Sequence, residues 1–394
     1  MPSLLEGRRL WLAGIGGAGM SGYALLAHAW GADVSGWDRV RTPYLDQLPE
    51  DITVEIAPDP PVPPEGWETF VSTAFADRVR GRPRAELLSE LVSLRDSIVV
   101  AGAHGKTTTA AMIAFVLREA GRDPAWLIGG IVPQLGGGAG TGDGWLVVEG
   151  DESDRTLEHL QPKIAVVTNV DLDHHTTFTS HHEVELLFES FLAQADASAR
   201  GYELEPYTGQ LAVTGDHNRA NAATALAALE LAGVGRPEAE RALADFRGAG
   251  RRLERRGDVG GVEVVDDYAH HPTEVAATLR ALCGGGRVLV LFQPHLYSRT
   301  RHLARELADA LSAADTVAVL DVYPAREAAL EGVDGKLVVD ALSELRPGMP
   351  LAWTPRLEDG VAFLVARARE GDRIATIGAG DVDRAVPLIL EGLG

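Results

Sequence analysis

The run Ser97-Ile98-Val99-Val100-Ala101-Gly102-Ala103-His104-Gly105-Lys106-Thr107-Thr108-Thr109 constrains this chain more than any other stretch. An uncharged, mostly apolar segment of strand length meets a turn with two glycines, and a helix starts at Thr107–Ala110. Such a turn presents backbone N–H groups, a lysine and hydroxyls at a helix N-terminus, which is equipment for holding a polyphosphate. The standard Gly-x-x-x-x-Gly-Lys-Thr pattern needs glycine at position 100, where Val100 stands. What remains is the shorter Gly102-x-x-Gly105-Lys106-Thr107, and a plain glycine turn before a surface helix would use the same letters. Composition weighs against the plain turn. Among 36 basic residues only Lys106, Lys163 and Lys336 are lysines. A chain that uses arginine elsewhere keeps at this turn the compact point charge that suits a phosphate.

Three α/β units in tandem are expected, with boundaries at 1–96, 97–247 and 248–394. The first opens with a strand at 9–13. The turn Gly14-Ile15-Gly16-Gly17-Ala18-Gly19 then leads into a helix running to about Trp30. Gly14, Gly16 and Gly19 fit the Gly-x-Gly-x-x-Gly nucleotide fingerprint in its strand–turn–helix setting, and Asp38 closes the next strand about 20 residues on. Phe70–Ala74 ends a further strand on Ser72, Thr73 and Ala74, which could meet a phosphate or cap a helix. Residues 52–63 are proline-rich and read as loop, and Arg84–Arg95 as helix.

In the second unit Gly129–Gly144 reads as a glycine-rich loop. The strand 145–148 runs into Glu149-Gly150-Asp151-Glu152-Ser153-Asp154. Acids just past a buried strand, in a unit with a phosphate loop, suggest a magnesium site, and Glu149 is nearest the strand. The strand 164–169 leads to Asp171 through His174, which a parallel sheet would bring to the same edge as Lys106 and Glu149. A helix is expected at about 182–195 and a strand at 210–214. Asp216-His217-Asn218-Arg219-Ala220-Asn221 then starts an alanine-rich helix, where His217, Asn218 and Asn221 could cap it or read an adenine. The third unit has strands expected at 262–265, 287–291, 316–320 and 373–377. Three of the strand ends are rich in polar, ring and charged groups: Asp266–Glu274, Gln293–Arg301 and Asp321–Glu327.

A formal charge of −21 argues against general nucleic-acid affinity. One cysteine, Cys283, excludes an intrachain disulfide and fits a reducing cytoplasm; its place at a helix end suggests a buried structural thiol. No window approaches the roughly 20 apolar residues of a membrane helix.

With these motifs in view the chain resembles, nearly end to end, the Mur ligases of peptidoglycan synthesis, and among them the alanine-adding branch. The resemblance rests on Gly14–Gly22, Ser72–Ala74, Gly102–Thr109, Glu149–Asp154, Thr168–His174, His217–Asn221, Asp266–Glu274, Gln293–Thr300 and Asp321–Glu327. It implies a Rossmann-like UDP-sugar domain, a central phosphate-loop ATP domain, and a Rossmann-like amino-acid-binding ligase domain. It also implies ATP and Mg2+ as cofactors, UDP-N-acetylmuramate and L-alanine as substrates, and a cytoplasmic monomer or homodimer without nucleic-acid or membrane partners. The ligation passes through an acyl phosphate, with ADP and phosphate as products.

By this resemblance Lys106, Glu149 and His174 are catalytic, and Thr107, Glu149 and His174 hold metal. ATP falls to Gly102, His104, Gly105, Lys106, Thr107, Thr108, His217, Asn218, Asn221, Arg252 and Asp267. The UDP-sugar falls to Gly14, Gly16, Gly17, Gly19, Asp38 and Ser72–Ala74, and the amino acid to His295 and Arg299. Two departures stand out. Leu296 occupies a position often held by arginine. The segment 192–214 is several dozen residues shorter than in family members. A ligase that attaches a preformed peptide, and a nucleotide-binding homologue without ligase activity, are the competing readings.

Overall fold

The computed structural model describes residues 4–172, 177–325 and 327–394. They form three largely parallel sheets in two compact units. Among the described residues, the first unit holds two sheets and comprises 4–172, 180–213 and 218–247. The second holds one sheet and comprises 177–179, 214–217, 248–325 and 327–394.

The first sheet has the order β3-β2-β1-β4-β5, built from β1 (Arg9–Ala13), β2 (Asp33–Asp38), β3 (Thr53–Ile56), β4 (Glu68–Val71) and β5 (Arg82–Pro83). Helices α1 (Ala18–Ala29) and α2 (Arg84–Ser93) accompany it. The proline-rich stretch is therefore not all loop. Its first residues pair in parallel with β2, Ser35 opposite Thr53 through Asp38 opposite Ile56. An edge strand needs a partner on one side only, so the prolines that follow do not break it.

The second sheet has the order β11-β10-β6-β9-β7-β8. Its elements are β6 (Ser97–Ala101), α3 (Lys106–Glu119), β7 (Ala125–Val132), β8 (Gly137–Gly140), β9 (Leu146–Glu149), β10 (Ile164–Val167), α4 (His181–Ala193), β11 (Ala197–Arg200), α5 (Asp216–Leu231) and α6 (Arg236–Leu243). All five β6 residues are buried, as a strand covered on both faces requires. Thr107 through Leu117 of α3 are buried too, so the helix that carries the phosphate-loop lysine runs through the interior rather than over the surface. Phe115 of α3 packs on Phe246, ring centroids 5.6 Å apart.

Two expectations fail in this sheet. Gly129–Gly144 is not a loop: its glycines lie largely in the antiparallel pair β7–β8, where the missing side chains let strands and neighbours approach closely. Residues 210–214 are not a strand. Leu211 and Val213 are half-buried and their neighbours exposed, so the alternation is present, but no sheet partner takes up their hydrogen bonds.

The third sheet, order β12-β13-β17-β14-β15-β16, comprises β12 (Glu254–Val259), β13 (Val262–Asp267), α7 (Pro272–Leu282), β14 (Val288–Phe292), α8 (Tyr297–Leu311), β15 (Thr316–Val319), α9 (Lys336–Leu345), β16 (Leu351–Trp353), α10 (Leu357–Val365), β17 (Arg373–Ile377) and α11 (Ala385–Leu393). Val288, Val290 and Phe292 face a core shared with α7, α8 and α9, while Leu289 and Leu291 face one shared with α10 and α11. The period of two thus feeds two cores, which explains why β14 reads as an unbroken apolar run. The edge strands β12 and β16 carry too little apolar signal to be read from sequence. Cys283 is exposed, contrary to expectation, because α7 ends there and the glycines after it turn the chain at the surface.

Gly36 of β2 is a packing requirement of the first sheet. A Cβ there would lie 2.5 Å from the Leu12 carbonyl oxygen and 3.0 Å from the Ile15 side chain. Backbone cannot yield as a side chain can. Gly36→Ala is expected to cost about 1–3 kcal/mol of unfolding free energy, measured by chemical denaturation.

Candidate functional site

The strand β6 delivers its chain into a turn that only glycine can make. Gly102 has φ 129° and Gly105 φ 79°. A Cβ on Gly102 would lie 2.2 Å from Thr168 Oγ1, and one on Gly105 2.2 Å from Asn221 Oδ1. The turn is braced from the end of β10. Asn169 Oδ1 accepts from His104 N at 2.9 Å, while Thr168 Oγ1 and Asn169 Nδ2 donate to the His104 carbonyl at 2.6 and 2.8 Å. The His104 ring meets Asp171 at 3.1 Å.

Lys106, the first residue of α3, folds back over this turn. Its Nζ donates to the Gly102 and Ala103 carbonyls at 2.6 and 3.2 Å and to Glu152 Oε1 at 3.1 Å. Burial opposes the ammonium charge and is the largest single effect. The carboxylates of Glu152, Asp151 and Glu149 outweigh it, and the pKa sits above the ordinary lysine value. The sequence reading favoured Glu149 among the four acids. The structure divides the work: Glu152, buried, is the ion partner of Lys106, whereas Glu149 faces the helix start. Glu149 Oε1 accepts from Thr107 Oγ1 at 2.8 Å, and its Oε2 accepts from Gly129 N at 2.6 Å. A Cβ on Gly130 would meet Thr107 Cγ2 at 3.1 Å. The β7 glycines are thus part of this site, which sequence reading missed because nothing local connects them to Thr107.

Thr108 is buried in the first turn of α3. Asn218 and Asn221 lie on α5, joined by a 3.3 Å hydrogen bond, with Asn221 against Gly105. Residues 102–108, 149, 218 and 221 are therefore brought to one edge of the sheet. His174 lies outside the described residues.

The glycine turn of the first sheet forms a second cradle. Gly14 has φ 85°, and a Cβ there would fall 2.4 Å from Ser72 Oγ. The buried Asp38 accepts from Gly16 N at 2.9 Å and from Arg39 N at 2.7 Å, and Thr42 Oγ1 donates to the Gly16 carbonyl at 2.6 Å. Gly17 caps α1 and Gly19 sits in its first turn. Thr73 and Ala74 start a short helical turn after Ser72. Asp38 thus holds the turn as well as ending β2, and Thr42 is a residue of this cradle that the sequence did not mark.

In the second unit the ends of β13, β14 and β15 carry the expected groups. Asp267 is buried and occupied by its own unit: it accepts from Leu253 N at 2.6 Å, Ala269 N at 2.8 Å and Thr278 Oγ1 at 3.1 Å. It shapes the 251–253 loop that carries Arg252, whose guanidinium lies 5.2 Å from the Tyr268 ring centre. Burial raises the Asp267 pKa, opposed by Arg252 and by the backbone donors. His295 stacks on Tyr323 at 5.8 Å between ring centres, meets His270 edge-on at 5.5 Å, and contacts the buried Arg299 Nη1 at 3.0 Å. Leu296 adopts φ 68° just before α8, with its N–H on the Tyr323 carbonyl at 2.9 Å.

A phosphate loop at the edge of one parallel sheet, a glycine-turn cradle on the sheet before it and a further α/β sheet after it define the Mur ligase class of fold. The chain belongs to the UDP-N-acetylmuramate–L-alanine ligase family. It is 40% identical to a ligase of that name from Renibacterium salmoninarum, with 98% of this chain and 96% of the relative covered. The counterpart from Kineococcus radiotolerans is 39% identical, with 97% and 96% covered. Residues 251–380 match the family described as Mur ligase, glutamate ligase domain. The solved UDP-N-acetylmuramate–alanine ligase of Thermotoga maritima shares the fold, with a TM-score of 0.77 at 24% identity over 97% of this chain and 98% of that one. The alignment with the Renibacterium protein runs over 452 positions, against 394 residues here, so several dozen positions of that relative have no counterpart in this chain.

His217 supplies a pH-dependent prediction. Burial depresses its pKa below the ordinary 6.5, with Arg252 and Arg280 adding to the shift and Asp216 and Glu274 opposing it. As pH falls below about 6.5 the unfolded chain takes up a proton that the folded chain refuses, so stability drops. The unfolding free energy of the wild type relative to His217→Gln is expected to decline between about pH 7 and 5, measured by urea titration across that range.

Proposed function

We propose that this chain joins L-alanine to the lactyl carboxylate of UDP-N-acetylmuramate at the expense of ATP, in peptidoglycan precursor synthesis. The carrying observation is the phosphate-loop edge: a charged Lys106 held over a glycine turn, with Thr107 and Glu149 in contact beside it. Family membership supports the choice of substrates.

A carboxylate resists attack by an amine until one of its oxygens becomes a good leaving group. In the first step a carboxylate oxygen attacks the γ-phosphorus of ATP, the bond from that phosphorus to the β-bridging oxygen breaks, and ADP leaves. In the second the alanine amine attacks the acyl carbon, inorganic phosphate leaves, and the nitrogen loses a proton. The first step brings two anions together, so fixed positive charge is the main requirement on the protein. Lys106 would meet the transferred phosphoryl group, and the N–H groups of the 102–108 turn would receive the other phosphate oxygens. Asn218 and Asn221 would face the adenine. Gly14–Gly19, Asp38 and Ser72–Ala74 would hold the UDP portion. In the second unit His295 and Arg299 would serve the amino acid, and Arg252 the nucleotide.

The donor set beside Lys106 fits magnesium. A threonine hydroxyl and a carboxylate oxygen 2.8 Å apart are hard oxygen ligands, and Gly129 N–H fixes the orientation of the carboxylate. Thr107 and Glu149 would hold the ion, which neutralises phosphate charge when bound. ATP and a UDP-sugar as substrates place the reaction in the cytoplasm.

The test is ADP release in the presence of UDP-N-acetylmuramate, magnesium and ATP, with L-alanine, other amino acids or a tripeptide added. Turnover with L-alanine is expected. Turnover with tripeptide alone would replace this reading by a peptide ligase, and ATP binding without any turnover would sink it. Lys106→Ala is expected to lower kcat by at least about 10²–10³. Its affinity for UDP-N-acetylmuramate, read by calorimetry, should stay near that of the wild type.

A further inference from the structure

Alanine brings two charges to its site, and the reading above provides for one. Arg299, with His295 at 3.0 Å, suits the carboxylate. The ammonium needs an acceptor, best an anionic one. Most carboxylates near the carboxyl ends of the third sheet are spent within the protein. Asp266 accepts from Arg251 Nε and Thr376 Oγ1, and Asp267 from two backbone N–H groups and Thr278 Oγ1. Glu327 accepts from Ser298 N and Ser298 Oγ at the start of α8. Asp321 accepts from Val322 N and Gly335 N, and Asp383 faces Arg251 at 3.7 Å.

Asp381 differs. It follows β17 in the turn Gly378-Ala379-Gly380-Asp381, and its side chain is 45% exposed. It precedes a short helical turn at 382–384, yet its side chain makes no capping bond there. Its Oδ2 lies 3.5 Å from Nη1 of the exposed Arg384, and such surface pairs hold weakly. Its Oδ1 is fixed from the end of β14, where Gln293 Nε2 donates to it at 2.9 Å. Gln293 is buried, and its Oε1 has no hydrogen-bond partner. An unpaired buried acceptor is unfavourable, so the amide is kept for what its donor holds. A Cβ on Gly380 would lie 2.3 Å from that Oε1 and 2.5 Å from Tyr323 Cγ, and Tyr323 stacks on His295. The carboxylate thus stands one residue beyond a glycine that packs against the ring under His295.

Sheet order puts Asp381 and Gln293 at a crevice. β17 lies between β13 and β14. Helices α7 and α8, which follow β13 and β14, pack on one face of the sheet, and α11, which follows β17, packs on the other. The chain therefore leaves the neighbouring strands β14 and β17 in opposite directions. Ligands of open α/β sheets bind outside the carboxyl ends of strands at such a reversal.

We propose that Asp381, oriented by Gln293, receives the ammonium of the amino-acid substrate while Arg299 receives its carboxylate. The inference rests on the reading that the second unit binds L-alanine beside His295 and Arg299, and it adds the group that tells an amino acid from a plain carboxylic acid. A negative charge at that place attracts the ammonium, and a neutral amide does not replace it. The defect it predicts belongs to the amino acid and not to either nucleotide.

The experiment measures KM and kcat for L-alanine on the full chain, with magnesium and saturating ATP and UDP-N-acetylmuramate, for the wild type, Asp381→Asn, Asp381→Ala and Gln293→Met. Dissociation constants of UDP-N-acetylmuramate and of a non-hydrolysable ATP analogue, and the unfolding midpoint, are recorded for each. Asparagine keeps the size of aspartate and the Oδ1 that accepts from Gln293, and removes only the charge. Asp381→Asn is expected to raise the KM for L-alanine at least about tenfold with a smaller change in kcat, and Asp381→Ala to raise it at least as much. Gln293→Met is expected to raise it about threefold or more, and both nucleotides are expected to bind within about threefold of wild type throughout. A merely structural Asp381 would tolerate asparagine and fail only with alanine. A wild-type KM in Asp381→Asn, a loss confined to kcat, an absence of turnover at every alanine concentration in the folded variant, or an equal loss of nucleotide affinity would each overturn the proposal. A wild-type KM in Gln293→Met would overturn the orienting role of Gln293; if that variant does not fold, the two substitutions at the half-exposed Asp381 decide. A wild type that shows no turnover with L-alanine would instead count against the function proposed above, so the two failures are distinct.

Discussion

The central constraint on this molecule is a lysine charge set at the positive end of a buried helix. The N-terminus of α3 already carries unpaired N–H groups and the positive end of its dipole, which disfavours a nearby cation. The chain accepts Lys106 there by folding its ammonium onto two backbone carbonyls of the preceding turn and onto buried Glu152. A charge so desolvated persists only with compensation on every side. Much of the second sheet follows from that need. Thr168 and Asn169 brace the turn from β10, Gly129 brings the edge hairpin onto Glu149, and Asn221 closes over Gly105. Each of these contacts fixes a group around the Lys106 ammonium and the turn that precedes it.

The glycine cradle of the first sheet solves a related problem without a buried lysine. Asp38 orients the turn by accepting from Gly16 N, and Ser72 presses against Gly14 where no side chain would fit. The acidic turn after β9 separates a lysine on one side from an arginine on the other. Four carboxylates within six residues would repel any nucleotide if left alone. Distributed between Lys106, Arg84 and the Thr107 hydroxyl, they become a means of fixing those groups. In the second unit, β13 to β15 end in rings and guanidinium groups that contact one another, with His295 between Tyr323 and Arg299.

Much of this was legible in the sequence. β6, β9, β10 and β14 are apolar runs because both faces of each strand are covered, and such runs stand out without reference to the rest of the chain. The glycines at 14, 102 and 105 sit where φ is positive or backbone and side chains meet closely, so their spacing marked both cradles. The edges were legible poorly. β3, β8, β12 and β16 border solvent and need little apolar content, whereas the alternating residues 210–214 had the pattern of a strand and lacked a neighbour to pair with.

The order of elements, the two turn motifs and the strand ends that bear chemistry were determined by the sequence itself, because each depends on residues within one turn or one strand of each other. Which acid pairs with Lys106 was decided only by tertiary structure, as were the approach of Gly129 to Glu149 and the reach of Arg84 to Asp154. Those contacts join residues tens of positions apart, on neighbouring strands or on separate sheets. Their partners are set by sheet order and register, which no local pattern encodes.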